Sequence, residues 1–139
     1  MKYMGSKRRI AKQIISSINN TELDWVEPFV GGGNVIEKVT NSNRYGYDNN
    51  KYVIAFFQEL SQQPEQLFEK LMNLHKTFDE QTWRYYKDNK DLLDPALVGF
   101  VGVACSFGAN WFVSYARAPG RDLFMEGVRN AQKQQSKIK

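Results

Sequence analysis

The sequence has few of the residues that build metal sites or disulfides. Its 139 residues include one cysteine, Cys105, and one histidine, His75. A single thiol cannot form an internal disulfide, and one cysteine with one histidine cannot complete a zinc site. We therefore expect no metal, a cytoplasmic location, and a Cys105 thiol buried in the apolar run 101–107.

Long hydrophobic runs are also absent, because no stretch of about 18 apolar residues occurs, and this predicts no membrane span. The basic N-terminus is not followed by an apolar core, which argues against a secretory signal. Hydrophobic residues make up 42% of the chain, enough for the core of one domain. The net charge of +4 suits a nucleic-acid partner, although many basic proteins have none.

Hydrophobic spacing and turn residues predict an α/β start followed by helices. Strands are expected over 25–30 and 44–48, and the three glycines at 31–33 separate the first strand from a helix. Ser6 stands where it could cap the first helix. Residues 108–121 carry Gly, Asn, Pro and Arg and are expected to form a loop. The predicted helices cover 7–19, 34–39, 50–60, 64–75, 79–90, 95–107 and 122–133.

The glycine turn is the strongest local sign of a ligand site. It follows a strand and opens a helix, where positive φ and close backbone approach both favour glycine. Asp48 ends the next strand, at a spacing from Glu27 typical of an acid that binds ribose hydroxyls. No Gly-Lys-Ser/Thr follows the glycines, and residues 34–36 do not continue a dinucleotide motif. The pattern favours a nucleoside ligand without a pyrophosphate, but a turn that only links two elements remains open.

Basic and aromatic residues mark two candidate DNA contacts. One is the basic cluster within residues 2–12, which could neutralise phosphates. The other is the loop 108–121, whose amide, arginine and aromatic side chains could contact bases. A solvated surface, or aromatics that anchor the loop on the core, would explain the same residues. The candidate DNA-binding residues are Arg8, Arg9, Asn110, Trp111, Tyr115, Arg117 and Arg121.

Three segments together resemble one family. Residues 2–7 (Lys-Tyr-Met-Gly-Ser-Lys), 26–33 (Val-Glu-Pro-Phe-Val-Gly-Gly-Gly) and 48–50 (Asp-Asn-Asn) are similar, in order and spacing, to the N-terminal portion of Dam-like, phage-type DNA adenine-N6 methyltransferases. The resemblance covers residues 1–60 by motif and extends loosely to 133 through 106–108 and 111–117.

This resemblance implies S-adenosyl-L-methionine as the cofactor and double-stranded DNA as the substrate. The opening segment, residues 2–7, would close over the cofactor, Asp48 would bind its ribose, Phe29 would shape the pocket, and the glycines would admit the methionine part. A core role for Tyr3 and a solvated role for Lys7 stay open. The implied cofactor-binding residues are Tyr3, Lys7, Glu27, Phe29, Gly31, Gly33 and Asp48.

One motif of the resembling family is missing. Its catalytic Asp-Pro-Pro-Tyr clamps the adenine amine, whereas the one Asp-Pro here, at 94–95, is followed by Ala and Leu. We therefore expect a truncated Rossmann-like core with no catalytic residue of its own. Residues 1–62 would form the cofactor-binding part and 63–139 a helical recognition insert, within one compact unit. A second chain, in a split, heterodimeric enzyme, or a C-terminal half would supply the motif.

Two other functions stay in view. A non-catalytic module derived from such an enzyme would bind DNA or the cofactor without methyl transfer. A nucleotide-dependent oxidoreductase is disfavoured because residues 34–36 depart from the dinucleotide pattern.

Overall fold

The computed structural model describes residues 1–18 and 20–138, and it combines a short parallel sheet with a bundle of helices. Strand β1 (Trp25–Glu27) pairs with β2 (Arg44–Gly46), with Trp25 opposite Arg44. Both strands are shorter than predicted. Pro28 has no N–H to donate, so β1 ends at Glu27, although Tyr47 N still donates to Glu27 O at 2.8 Å.

The N-terminal helix is also shorter than predicted. Helix α1 spans Ala11–Ser17, and the prediction that Ser6 caps it is wrong, because residues 3–10 form successive turns instead. The Ser6 hydroxyl accepts from Arg8 N at 3.2 Å, between the turn that ends at Ser6 and the turn that begins at Lys7. The last residue of the predicted helix, Asn19, lies outside the described residues.

The segment after the glycines is a single 3-10 turn, Ile36–Lys38, and not the predicted helix over 34–39. The chain must reach β2 within a few residues, so it turns back at Val39, whose backbone is extended. Val35 and Val39 are buried with Trp25 and Ala11, and this small cluster holds α1 against the sheet.

The remaining helices match their predicted positions, with ends that differ by a few residues. Asn50, Asp79, Asp94 and Asp122 cap their helices by accepting backbone N–H bonds, as such residues commonly do. The predicted helix over 95–107 ends early, at Ala104. The helices are α2 (Lys51–Gln62), α3 (Pro64–His75), α4 (Glu80–Asp88), α5 (Pro95–Ala104) and α6 (Leu123–Gln135).

Helix α5 is the centre of the larger core. It is buried along most of its length, and a helix that is apolar all round belongs in an interior. Gly99 lets α2 approach closely, since a Cβ there would lie 2.2 Å from Tyr52 O. Cys105 is buried at the end of α5, as predicted, and burial raises the pKa of its thiol. The cytoplasmic location remains a prediction.

The sheet and the helical core meet at the glycine turn. Gln134 of α6 is buried and donates from Nε2 to Gly32 O at 2.9 Å. Arg44 donates to Ile36 O and Val39 O in the sheet layer and also to Lys137 O beyond α6. These contacts fix the turn between β1 and the last helix.

Candidate functional site

The glycine turn has the backbone that the sequence predicts. Gly31 and Gly33 adopt φ of 51° and 72°, in the left-handed region that favours glycine. The N–H of Gly31 donates to Asp48 Oδ2 at 3.0 Å, and the other carboxylate oxygen of Asp48 accepts from Asn50 N at 3.0 Å. Asp48 therefore ties the turn to the segment that follows β2.

The opening segment lies directly on this turn. A Cβ at Gly31 would stand 3.2 Å from the Tyr3 ring, and one at Gly32 would stand 2.7 Å from Tyr3 Cβ. Asn34 donates from Nδ2 to Met1 O at 3.1 Å and to Ser6 Oγ at 2.8 Å. The opening segment is thus packed against the glycines, and the side-chain amide of Asn34 holds it there through these two hydrogen bonds.

A small cleft opens between the opening segment, the glycine turn and Asp48. Its volume is about 190 Å³. Lys7 stands at its edge, with Nζ 2.9 Å from Phe29 O, and the Phe29 side chain is 77% exposed. The residues around the cleft are Tyr3, Gly5, Ser6, Lys7, Phe29, Val30, Gly31, Gly32, Asn34 and Asp48.

Glu27 lies behind the cleft rather than on its wall. Its carboxylate is buried, and neither oxygen has a hydrogen bond of normal geometry to any described residue. The nearest cation is Lys7, with Nζ 3.9 Å from Oε1. Burial raises the pKa of Glu27, and the Lys7 charge opposes this increase without cancelling it. Burial also raises the pKa of Tyr3, helped by the nearby charge of Asp48.

Gly33 lies on the other side of the turn, away from the cleft. A Cβ there would meet Gln134 and Phe57 of the helical core. Asn34 and Gln134 were not among the predicted site residues, although both hold the turn in place. Asn34 had a signal, since it directly follows the glycines. Gln134 had none, because 102 residues separate it from Gly32.

A second, larger depression of about 870 Å³ runs between the opening segment, the turn after α5, the loop 116–121 and α6. We call it the basic groove. Three predicted DNA-binding residues, Arg8, Arg117 and Arg121, line it. Further positive side chains join them that were not predicted as site residues: Lys2, Lys38, Lys133 and Lys137.

Two of these arginines form ion pairs within the chain. Arg117 pairs with Glu80, and Arg121 holds Glu126 through two bonds, from Nε at 3.0 Å and from a terminal nitrogen at 2.6 Å. Their side chains are 67% and 53% exposed. Solvent screens exposed ion pairs of this kind, so a phosphate could take the place of the carboxylates at little cost.

The other predicted DNA-binding residues lie outside the basic groove. Trp111 stacks on Tyr52 at 5.8 Å between ring centroids and fills the space beside Gly102. Tyr115 is half-buried against Trp83. Asn110 begins the turn 110–113, which contains Trp111. Arg9 is exposed on the N-terminal turns.

The two depressions share a wall. Tyr3 and Asn34 line both the basic groove and the small cleft. The groove and the cleft therefore adjoin each other at these two residues.

Comparison with known protein families identifies the class of protein. Residues 3–107 match the family of D12 class N6 adenine-specific DNA methyltransferases. The match covers more than half of the chain, so the chain belongs to this family, as its motifs indicated. Residues of the loop 108–121 and of α6 lie outside the matched range. A search of curated proteins found no match.

Two negative findings concern the described residues, 1–18 and 20–138. No group of three or more His, Cys, Asp or Glu side chains there could hold a metal ion. No helix there is both long enough and apolar enough to cross a bilayer.

Proposed function

We propose that this chain is the cofactor-binding and DNA-recognition part of a site-specific DNA adenine-N6 methyltransferase. The observation that carries the proposal is the cleft in which the glycine turn, the opening segment and Asp48 meet. In this proposal residues 1–62 bind the cofactor, and residues 63–139 form the helical insert that contacts DNA. The Asp-Pro-Pro-Tyr motif comes from a second chain or from a C-terminal half.

S-adenosyl-L-methionine is the cofactor typical of the family, and the residues present fit it. Asp48 has carboxylate lone pairs for ribose hydroxyls, and the lack of side chains at Gly31 and Gly32 lets the opening segment that borders the cleft pack directly on the turn. Glu27 lies behind the cleft, and its buried carboxylate, which has no hydrogen-bond partner among the described residues, would reach the ligand only if the cleft widens. A ligand of this size needs roughly 300 Å³ or more, so the cleft must widen for the whole molecule to enter.

Each part of the cleft has a definite task in this proposal. Asp48 accepts from the ribose, the exposed Phe29 ring covers the nucleoside, and Tyr3 closes the side toward the basic groove. Gly31 and Gly33 permit the turn that lets the backbone approach the ligand. When bound, the cofactor supplies an electrophilic methyl group on a sulfonium. The chain's residues hold and desolvate it, which favours in-line attack by an amine.

The sheet supports a core that is completed by further strands. Parallel sheets are normally covered on both faces, and two strands alone are seldom stable in water. Here Val26 and Tyr45, neighbours in the register, are 57% and 45% exposed. In a doubly wound, Rossmann-like sheet the first strand has a neighbour on each side. We propose that the strand carrying the catalytic motif pairs with the free edge of β1.

DNA would lie along the basic groove. Arg8, Arg117 and Arg121 would bind phosphates there, and their charges predict an affinity that falls with salt. In this proposal the exposed Arg9 contacts a phosphate beside the groove, and Asn110, Trp111 and Tyr115 contact DNA if the loop 108–121 rearranges.

The test is purification of the chain from its own cells under native conditions, followed by intact-mass analysis and a methyl-transfer assay on the same fraction. The proposal predicts that a polypeptide segment containing Asp-Pro-Pro-Tyr co-purifies, and that labelled methyl enters adenine. A lone chain that binds DNA or cofactor but transfers no methyl would contradict it and would favour a non-catalytic module. If the chain is such a module, substitution of Asp48 distinguishes a cofactor-binding module from a DNA-binding one, because it weakens cofactor binding and leaves DNA affinity unchanged.

A further inference from the structure

Two buried side-chain amides join the opening segment, the glycine turn and α6. Gln134 is 2% exposed and Asn34 is 7% exposed. Gln134 donates from Nε2 to Gly32 O at 2.9 Å, and its Oε1 accepts from the Met1 nitrogen at 2.6 Å. Asn34 donates to Met1 O and to Ser6 Oγ. The backbone of Met1, directly before the opening segment, is therefore held by Gln134 at its nitrogen and by Asn34 at its oxygen.

The two amides also pack directly on the glycines. A Cβ at Gly32 would stand 2.9 Å from Asn34 Nδ2, and one at Gly33 would stand 3.1 Å from Gln134 Nε2. Burial of an amide is unfavourable unless it is hydrogen-bonded, so each amide favours the arrangement in which the opening segment lies on the turn. Because Gln134 belongs to α6, this arrangement also fixes the position of the segment relative to that helix.

The amides stand where the cofactor cleft and the basic groove adjoin. Asn34 lines both depressions, and Gln134 lines the groove. The opening segment places Lys7 at the edge of the cleft, whereas Lys2 and the following Arg8 line the groove. A movement of this one segment therefore changes both sites.

The cleft, at about 190 Å³, is smaller than S-adenosyl-L-methionine requires, so the opening segment must move off the turn to admit the cofactor. We propose that Asn34 and Gln134 are positioning residues that return the segment to the turn, so that closure of the cleft and assembly of the groove are one event. Both act through the segment and the turn, and not on the reacting atoms. The inference rests on the proposed function, and it extends the site to Gln134, which lies outside the residues matched to the family.

The proposal predicts a specific linkage between the two ligands. A ligand shifts an equilibrium between two arrangements only as far as it prefers one of them. DNA phosphates prefer the closed arrangement because it sets Lys2 and Arg8 in one groove with Lys133 of α6. The bound cofactor prefers it because the closed segment covers the cleft. Each ligand should therefore tighten the binding of the other, and by the same factor.

The test measures this factor by calorimetric titration. The protein, together with any chain that co-purifies, is titrated with S-adenosyl-L-homocysteine, the demethylated cofactor, so that no methyl transfer occurs. The titration is repeated in the presence of a saturating DNA duplex of mixed sequence at low salt, since phosphate contacts do not require the recognition sequence. We expect the duplex to tighten cofactor binding about fivefold or more in the wild type.

The variants separate a positioning role from a purely structural one. Gln134→Met keeps the length of the side chain but loses the amide, and it should abolish the effect of the duplex on cofactor affinity. Gln132→Met is the matched control, because Gln132 is exposed on the same helix and does not line the groove. It should keep the wild-type factor.

Ser6→Ala is the second variant, because it removes one acceptor of Asn34 at an exposed position and should not prevent folding. It should lower the factor without abolishing it. A purely structural role would change the free energy of unfolding and leave the ratio of the two cofactor affinities as in the wild type.

The outcomes separate the inference from the proposed function. If the wild type does not bind the cofactor or does not bind DNA, the proposed function fails together with the inference. If both bind but neither affects the other, only the inference fails. It also fails if Gln134→Met keeps the wild-type factor. If Gln134→Met does not fold, Ser6→Ala decides: a lowered factor supports the inference, and an unchanged factor overturns it.

Discussion

A methyl group added at Gly32 tests whether the opening segment belongs to the cofactor site. An alanine Cβ there would stand 2.7 Å from Tyr3 Cβ, 2.9 Å from Asn34 Nδ2 and 3.1 Å from Met1 O. Ordinary contacts between carbon atoms lie at about 3.5–4.0 Å, so the segment must move by roughly an ångström. Gly32, unlike its two neighbours, does not have positive φ, so the effect is steric.

The magnitude follows from the cost of overpacking, which is about 1–3 kcal/mol. If the segment moves off the turn to relieve this strain, the cleft loses its Tyr3 wall. The cost then appears as weaker cofactor binding, and about 1.4 kcal/mol corresponds to tenfold. We expect Gly32→Ala to bind S-adenosyl-L-methionine at least about tenfold more weakly, as measured by calorimetric titration.

Gly127→Ala is the matched control. Its Cβ would lie 2.8 Å from Ala104 Cβ, between α5 and α6, and it is not part of the cofactor cleft. Overpacking at this position should lower the free energy of unfolding by about 1–3 kcal/mol. The higher helix propensity of alanine relative to glycine should offset about 1 kcal/mol of this loss. Cofactor affinity should not change. If Gly32→Ala binds the cofactor as tightly as the wild type, the opening segment does not form part of the site.

Three further predictions concern stability and are measured by chemical denaturation. The stability of Glu27→Gln relative to the wild type should increase as the pH rises from about 4 to 7. The pKa of Glu27 in the folded state is raised above 4.5, so ionisation of the buried carboxyl makes the wild type lose stability over this range. A constant difference would contradict the raised pKa of the buried Glu27 carboxylate. Asp94→Ala should cost about 1–2 kcal/mol, because Asp94 caps α5 and contacts Lys70 at 2.9 Å; no loss would show that neither contact contributes. Gly99→Ala should cost about 3 kcal/mol or more, since the clash at 2.2 Å is with backbone of α2; a smaller loss would mean that α2 and α5 can separate.

The helices could be predicted from the sequence because their signals are local. Asn50, Pro64, Asp79 and Asp122 stand at or next to helix starts, and each acts through neighbours within a turn. The prediction failed where tertiary demands override local preference. Ser6 suits a helix cap, but its hydroxyl accepts from Asn34 across the fold.

The same distinction applies to the site. Gly31 and Asp48 could be found because a glycine turn and a strand-end acid have a known spacing, and the structure joins them at 3.0 Å. No comparable sequence spacing links the glycine turn to α6. The contact of Gln134 with the turn could therefore not be predicted. Trp111 was predicted as a DNA contact from the composition of its loop and from the family resemblance, with anchoring of the loop on the core as the alternative. Composition does not show that its ring packs against Tyr52.

The central claim is that the cleft beside Asp48 binds S-adenosyl-L-methionine. The most direct measurement is calorimetric titration of the cofactor into the wild type, Asp48→Asn and Asp91→Asn. Asp48→Asn keeps one acceptor oxygen for a backbone N–H but loses the charge, while Asp91 is 77% exposed and lies outside the cleft. The account predicts saturable binding that Asp48→Asn weakens and Asp91→Asn leaves unchanged. Absence of binding by the wild type, or equal binding by Asp48→Asn, would contradict it.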